Sequence, residues 1–238
     1  QAYINVAYNA QLNATGTTPV TWTIIEDYLP DGLIFSDGKI SGISTETGTF
    51  HIKVRAENSG GYDEADIKIE VIDPGIAINS ANFSNANFMN YVRVFDLNSN
   101  GYLNEEEIAA AKVINVKSKN ISDLKGIEFF TALIDLKCEQ NNLTALNLTS
   151  NKALQTLICN NNSISMLNLA YNTELTYLNA YGNNLSAIDL ANNTALEFID
   201  VGYNRLSTID VTKNTLLEEF YGETNAVCQC SRAKALWH

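Results

Sequence analysis

A run of twelve residues near the middle of the chain places oxygen-bearing side chains at the spacing that a calcium loop requires. Residues 96–107 read DLNSNGYLNEEE and fit the pattern D-x-[DN]-x-[DN]-G-x5-E at every defined position. Calcium in such a loop takes oxygen ligands from positions 1, 3, 5, 7, 9 and 12, and glycine at position 6 permits the sharp turn. The predicted ligands are the side chains of Asp96, Asn98 and Asn100, the backbone carbonyl of Tyr102, Asn104 through a water, and a bidentate Glu107.

Short helices are expected on either side of this EF-hand-like loop. Phe83 and residues 88–95 lead into it, and residues 105–112 have high helix propensity. Leu103, at the apolar eighth position of the loop, should point inward. Because only two ligands carry charge, we expect weak affinity, on the order of 10⁻⁴ to 10⁻³ M, as in extracellular modules. A single loop does not favour a calcium-sensing switch. It predicts either a structural Ca²⁺ ion or a loop that keeps its shape and is often empty.

The second half of the chain repeats itself every 21 residues. The apolar columns are Leu133, Leu154, Leu175, Leu196 and Leu217, and then Leu136, Leu157, Leu178, Ile199 and Phe220. Asparagine recurs at Asn141, Asn162, Asn183, Asn204 and Asn225. The leucines should fill the interior of each coil, and the asparagines should bond backbone groups at the turn after a strand. Residues 113–124 form a shorter, degenerate first repeat.

The repeat is itself nearly doubled, because Leu143-x-x-Leu146-x-Leu148-x-x-Asn151 repeats the pattern within one coil. A second asparagine ladder continues through Asn172, Asn193 and Asn214. We therefore expect two short strands per coil and two parallel sheets that face each other across a narrow core. The pattern resembles the 21-residue class of leucine-rich repeats in bacterial surface proteins. This resemblance implies that the calcium-loop region and the following Gly126–Phe130 segment open and cap the array.

Short β-strand patterns separated by turn signals fill the first 74 residues. The strand candidates are 20–25, 51–56 and 65–71, and the turn signals are 30–32, 37–38 and 59–61. This arrangement predicts an antiparallel sandwich with Trp22 in its core. The segments LPDGL (29–33), GKISG (38–42) and VRAEN (54–58) resemble the immunoglobulin-like (cadherin-like) modules of bacterial surface proteins. The resemblance implies a spacer module and says nothing about a ligand.

Three regions of different fold are thus expected in one multidomain chain. They are an all-β, immunoglobulin-like sandwich over residues 1–74, a helical cap with the EF-hand-like loop over 75–112, and a leucine-rich-repeat solenoid over 113–238. The boundary at 74 follows from Asp73-Pro74-Gly75, which ends the last strand pattern and opens a polar stretch.

Four cysteines lie in the repeat half of the chain, and no C-x-x-C pair occurs. The sequence therefore offers neither a zinc ribbon nor a thioredoxin-like motif. Cys138 and Cys159 occupy one inward position on adjacent coils, where we expect a packed pair of free thiols. Cys228 and Cys230 follow the final repeat asparagine, and the sequence assigns them no partner.

A cluster of aromatic side chains is expected on the outer face of the first repeat sheet. Residues that flank an inward leucine on a strand face outward, and clustered exposed aromatic side chains mark interaction sites. The candidate ligand-binding face is Ile158, Tyr177, Tyr181, Phe198, Tyr203 and Tyr221. The second sheet would instead expose small residues, Met166 and a column of Asn and Asp. The alternative is that the aromatic rings only cover neighbouring coils or lie against another domain.

Composition and motifs argue against several classes of function. The net charge of −12 disfavours nucleic acid and anionic membrane surfaces, and no apolar run approaches the length of a membrane span. The only histidines are His51 and His238, and no metalloprotease, nucleophile-elbow, phosphate-loop or dinucleotide motif occurs. Asp200 and Glu219 could form an acid–base pair, but the pattern does not bury them. We therefore expect no enzyme.

The chain begins with Gln1 and carries no leader, so we expect a signal peptide to have been removed and the protein to lie outside the cell or on its surface. Two hypotheses about function remain. The first is an adhesion or recognition protein that binds a protein or glycan on the aromatic face. The second is a structural spacer or scaffold within a larger surface protein, with no ligand site of its own.

Overall fold

The computed structural model describes residues 1–225 and divides the chain into two compact units, Gln1–Pro74 and Gly75–His238. Cys228 and Cys230, to which the sequence assigned no partner, lie outside the described residues. Within the described part, every helix is too short to cross a membrane.

The first unit consists of seven strands in two sheets. The strands are β1 (Ala2–Tyr3), β2 (Ala7–Gln11), β3 (Thr21–Glu26), β4 (Leu33–Ser36), β5 (Lys39–Ile43), β6 (Gly48–Asn58) and β7 (Gly61–Ile72). One sheet has the order β1-β7-β6-β3 and the other β2-β5-β4. Alternating residues of both sheets, such as Ile40, Ile52 and Ile69, are buried in a shared core. Trp22 is half-buried against that core, as the sequence predicted.

The turn signals of this unit lie where the strands reverse. The long hairpin of β6 and β7 pairs Asn58 with Gly61, so that Ser59 and Gly60 form the turn. Gly38 connects β4 to β5 with a φ of +74°, and a Cβ added there would lie 2.7 Å from the Trp22 ring. Glycine is therefore required at this position both by the backbone conformation and by the close approach of the indole.

The second unit opens with short elements around the predicted calcium loop. They are β8 (Ile76–Ala77), α1 (Ala86–Val92), a 3₁₀ turn (Arg93–Phe95), β9 (Tyr102–Leu103) and α2 (Glu105–Ala110). Asn85 caps α1, and Asn104 and Glu107 form a reciprocal capping box on α2. Phe83, Phe88 and Leu103 are fully buried and belong to the same core as the repeats. The prediction that Leu103 points inward is confirmed.

One continuous parallel sheet runs along the repeats. Its strands are β10 (Val113–Asn115), β11 (Asp135–Lys137), β12 (Thr156–Ile158), β13 (Tyr177–Asn179), β14 (Phe198–Asp200) and β15 (Glu219–Tyr221), and a 3₁₀ turn spans Ile127–Phe129. Neighbouring strands pair in the order of the sequence, and each central residue pairs with its equivalent 21 or 22 positions away. The central residues of β10 to β14 are fully buried. The 21-residue periodicity therefore predicted both the strands and their register.

The prediction of a second parallel sheet is wrong. On that side of the coils the only pairing within the described residues is a single bridge between Leu146 and Leu167. The leucines are buried as predicted, but the Asn and Asp side chains between them accept a hydrogen bond from the backbone N–H two residues later. These bonds run to Asn147, Asn168, Asp189 and Asp210 from Thr149, Ala170, Ala191 and Thr212, at 2.9 to 3.2 Å. Such local bonds compete with strand pairing, and on this side of the four coils they recur without exception.

Both asparagine ladders are present and differ in their bonding. In the first ladder, Asn183 Oδ1 accepts a bond from the Ile164 N–H at 3.0 Å, and its Nδ2 donates to the carbonyls of Cys159 and Ala180. In the second ladder, Asn172 Nδ2 donates to the carbonyls of Leu148 and Asn151, whereas its buried Oδ1 has no hydrogen-bond partner. Only the first ladder thus satisfies a backbone donor.

Cys138 and Cys159 are fully buried free thiols on adjacent coils, as predicted. Burial raises the pKa of Cys138 well above its usual value and raises the pKa of Cys159 to about 12. Both thiols are therefore protonated at neutral pH and act as small apolar side chains.

Candidate binding face and calcium loop

The strands of the repeat sheet place the predicted face residues in two parallel rows. The first and third residues of β11 to β14 flank a buried central residue and are half-buried on the outer side. Because adjacent strands are about 4.8 Å apart, equivalent side chains of successive coils contact one another. Ile158 lies half-buried in the same row as Tyr221, with Asn179 and Asp200 between them.

Three aromatic rings, one each from β13, β14 and β15, contact one another in series. The Tyr177 and Phe198 rings are parallel, with centroids 4.2 Å apart and an interplanar angle of 4°. The Phe198 and Tyr221 rings are tilted, with centroids 5.6 Å apart. The sequence predicted exposed rings, but all three are half-buried because each covers its neighbour. The face therefore combines packing within the solenoid with a partly exposed aromatic surface.

A second aromatic pair lies just beyond the strands. Tyr181 and Tyr203 have ring centroids 5.0 Å apart. Tyr203 occupies the left-handed backbone region with a φ of +49°, at the repeat position that Gly182 fills one coil earlier with a φ of +64°. This conformation is uncommon for a bulky side chain, and the Tyr203 ring remains 52% exposed. Of the six predicted face residues, Tyr203 is the most accessible.

Three carboxylates accompany the aromatic rings at the far end of the described sheet. Asp200 is half-buried, and its pKa is raised by burial and by the nearby Glu223, although the Gly202 N–H donates to it at 3.1 Å. The Tyr221 hydroxyl donates to Glu219 at 3.1 Å, and this bond together with the surrounding carboxylates raises the Tyr221 pKa. Sequence reasoning missed Glu223, which follows the column of Tyr181 and Gly202 at the 21-residue spacing.

The outer residues of the opposite side of the coils form a different surface. Met166 is 78% exposed there, among Ala145, Ala187 and Thr208. The Asn and Asp column of this side is committed to the local turns described above, so it is part of the coil's own structure. This side offers no aromatic cluster within residues 113–225.

The predicted calcium loop is held in its fold by hydrogen bonds from backbone N–H groups to its predicted ligand side chains. Asp96 accepts bonds from the N–H groups of Asn100 and Gly101, at 3.0 and 2.9 Å. Asn98 Oδ1 accepts from the Asn100 N–H at 3.0 Å. Asn100 Oδ1 accepts from the Tyr102 N–H at 2.8 Å. The loop's short strand β9 pairs with β8, which immediately follows Gly75. Strand β8 therefore provides the pairing that a second calcium loop would provide in a two-loop arrangement.

Glu107, the last predicted ligand, has an environment that suits a cation. Glu107 is only 5% exposed, and its two carboxylate oxygens accept hydrogen bonds from the N–H groups of Leu97 and Asn104 at 2.9 and 3.0 Å. Among the described residues, none of the ion pairs involves Glu107. Burying a charged carboxylate that accepts bonds from neutral N–H groups costs free energy of folding. Each oxygen also retains a lone pair that could bind a cation. The donor set therefore fits a calcium ion.

Comparison with known proteins identifies the first unit. Residues 1–71 match the family model described as "Putative Ig domain". The match covers both sheets of the Gln1–Pro74 unit up to the last residues of β7.

The repeats resemble those of a bacterial protein. The solved functional domain of InlJ from Listeria monocytogenes, which includes a cysteine ladder, is 32% identical with a TM-score of 0.58, and the match covers 62% of this chain. This chain thus combines an N-terminal immunoglobulin-like module with leucine-rich repeats similar to those of a bacterial protein. Curated Internalin J of the same species is 36% identical over 70 residues, or 29% of this chain. A solved internalin C2 from that species is more distant, with 17% identity and a TM-score of 0.46, and covers 67% of this chain and 91% of that one.

The leucine-rich-repeat protein spans only part of these relatives. It covers 33% of the solved InlJ chain, and its aligned stretch is 8% of the length of curated Internalin J. The activities and partners of those longer proteins therefore bear on this chain only as proposals.

Proposed function

We propose that this chain is a non-enzymatic recognition protein, located outside the cell or on its surface, that binds a partner protein through the aromatic face of the repeat sheet. The observation that carries the proposal is the cluster of Tyr177, Phe198 and Tyr221, together with the exposed Tyr203. Aromatic side chains dominate the energetics of protein interfaces because they bury a large area with few rotatable bonds. The similarity to an internalin supports an adhesive role at the surface.

The geometry of the aromatic rings favours a protein partner over a glycan. A sugar binds best on the open face of an aromatic ring. The faces of Tyr177 and Phe198 turn toward each other at 4.2 Å, so the pair offers mainly ring edges. Ring edges carry partial positive charge and suit contacts with carbonyl oxygens and other rings of a protein.

The direct test is binding of the purified chain to a panel of extracellular-matrix proteins and glycans. A variant with Tyr177, Phe198 and Tyr221 all changed to Ala should lose binding of the partner while its melting transition remains cooperative. The matched control is Met166→Ala, which truncates an even more exposed side chain on the opposite side of the coils. If the triple variant binds normally, or if the Met166 variant loses binding, the partner does not use this face.

A structural spacer or scaffold remains the competing function, because the same rings are half-buried by their neighbours. That role predicts that the triple variant loses stability but no binding. Unfolding in urea, measured on the same variant, separates the two functions. A large loss of stability with no partner on a broad panel would favour the scaffold.

We also propose that Asp96, Asn98, Asn100, Tyr102, Asn104 and Glu107 hold a structural calcium ion that stabilises the start of the solenoid. At a calcium concentration ten times the dissociation constant, linkage gives about 1.4 kcal/mol of added stability. Asp96→Asn combined with Glu107→Gln removes both charges and keeps an acceptor oxygen at each position. This variant should lose the calcium-dependent rise in melting temperature, whereas Asp189→Asn should keep it. An equal rise in all three proteins would refute the site.

A further inference from the structure

The carboxylates on the binding face are distributed unevenly along the solenoid. At the second coil, Asp135 and Glu139 pair with Lys137 and Lys117 at 3.0 and 3.3 Å. At the last two described coils, Asp200, Glu219 and Glu223 form no ion pair with any residue in the range 1–225. Within residues 1–225, the carboxylates of the face are therefore ion-paired at one end and have no ion pair at the other.

These carboxylates lie near Tyr181 and Tyr203, and Tyr203 is the most accessible of the six predicted face residues. We define the acidic aromatic patch as Tyr181, Asp200, Tyr203, Glu219, Tyr221 and Glu223. A Cβ added at the buried Gly202 would lie 3.2 Å from the Glu223 carboxylate and 3.3 Å from the Tyr181 ring, so these groups converge on one backbone position. The raised pKa values of Asp200 and Tyr181 have a shared cause, since burial and neighbouring carboxylates disfavour the negative charge of both.

We infer that the partner docks on this patch through a basic segment, placing a lysine or arginine side chain against Tyr203 and between the carboxylates of Asp200 and Glu223. This inference rests on the proposed function, because it concerns the same face, and it specifies the chemistry of the occupant. A cation there gains attraction from the aromatic ring face. It also relieves the repulsion between carboxylates, which a neutral or acidic segment would not do.

Charge complementarity is the reason to prefer a basic protein segment to an apolar one. The patch is rich in aromatic area, but each of its three acidic residues would be desolvated by a purely apolar partner without compensation. A guanidinium group can hydrogen-bond a carboxylate in two places and stack on a ring at once. An arginine-containing segment in extended conformation therefore satisfies both features of the patch.

The test uses the full chain and a short capped peptide in which arginine alternates with serine, titrated by calorimetry in the presence and absence of salt. Its control is the same peptide with citrulline in place of arginine, which keeps the shape and removes the charge. We expect the arginine peptide to bind and the citrulline peptide to bind at least about tenfold more weakly. Binding of the arginine peptide should weaken as added salt screens the charges.

Paired variants show whether the attraction is local. Asp200→Asn with Glu223→Gln should weaken arginine-peptide binding by about tenfold, which corresponds to ~1.4 kcal/mol. Asp189→Asn with Asp210→Asn removes the same charge from the opposite side, where asparagine already occupies the equivalent positions 147 and 168. This control should leave the affinity unchanged. Equal weakening in both variants would mean attraction by net charge alone and would overturn the inference.

The outcomes distinguish this inference from the proposed function. If a protein partner is lost by the triple aromatic variant but bound normally by Asp200→Asn with Glu223→Gln, the face is correct and the basic-segment inference is wrong. If the arginine peptide fails to bind, the inference is likewise wrong, whatever the protein panel shows. If the peptide binds through the patch and no protein does, the cation site stands and the recognition function fails.

Discussion

The two asparagine ladders should differ in what they contribute to stability, although their residues look equivalent in the sequence. Replacing Asn183 by Ala removes the side-chain acceptor of the buried Ile164 N–H. The carbonyls of Cys159 and Ala180 also lose a bond, but each keeps a second donor, from Asn162 and Asn204 respectively. One orphaned buried donor costs about 1–3 kcal/mol, and each shared bond about 0.5–1 kcal/mol. We expect a loss of about 3 kcal/mol.

Replacing Asn172 by Ala should cost much less. Its Nδ2 donates to the carbonyls of Leu148 and Asn151, which keep backbone donors from Asn151 and Leu154. The substitution orphans no donor, and it removes a buried Oδ1 that has no partner. The expected loss is about 1 kcal/mol. The exposed Asn192→Ala is the control and should change stability by less than about 0.5 kcal/mol.

The assay is unfolding in urea followed by circular dichroism, together with hydrogen exchange at individual amides. The Ile164 amide should exchange faster in Asn183→Ala than in Asn172→Ala, because only the first variant frees it. Equal losses of stability in the two variants, or a larger loss for Asn172, would refute the assignment of the backbone donor to the first ladder. Unchanged protection of Ile164 in Asn183→Ala would refute it independently.

Three further predictions concern the interior and the cap. Gly75→Ala should destabilise the second unit by more than about 1 kcal/mol, because its φ is +89° and a Cβ would lie 2.0 Å from the Leu103 carbonyl oxygen; thermal unfolding measures this. Leu157→Ala should cost about 2–5 kcal/mol in urea unfolding, since the side chain is fully buried in a continuous core. In a variant lacking the other two cysteines, Cys138 and Cys159 should react with a thiol reagent only upon unfolding. Their raised folded-state pKa values should also make stability fall as pH rises from about 9 toward 12.

The sequence predicted one sheet of the solenoid and failed on the other for a physical reason. Both halves of the coil carry leucines at alternate positions, and that pattern alone indicates two strands. In the first sheet the outer third position varies between Lys137, Ile158, Asn179, Asp200 and Tyr221, and the same local bond forms only where that residue is Asn or Asp. In the other half the equivalent position is always Asn or Asp. These residues disfavour strands and bond their own backbone two residues later.

The candidate face was predictable in position but not in exposure. Parallel pairing of equivalent residues follows directly from a constant repeat length, so Tyr177, Phe198 and Tyr221 had to lie on adjacent strands. Their burial depends on ring orientation, which a sequence pattern does not determine. Glu223 could have been found by following the 21-residue spacing from Tyr181, although the change from Tyr to Gly to Glu along that column hides it. The calcium loop was predicted from its residues, and its occupancy stays a prediction.

The first asparagine ladder links the successive coils that carry the acidic aromatic patch. Each carbonyl along it accepts bonds from the asparagines of two successive coils, as the Ala180 carbonyl does from Asn183 and Asn204. A shift of one coil would break bonds to its neighbours, which restrains the backbone beneath Asp200 and Glu223. A surface restrained in this way loses little conformational freedom on binding, which favours affinity.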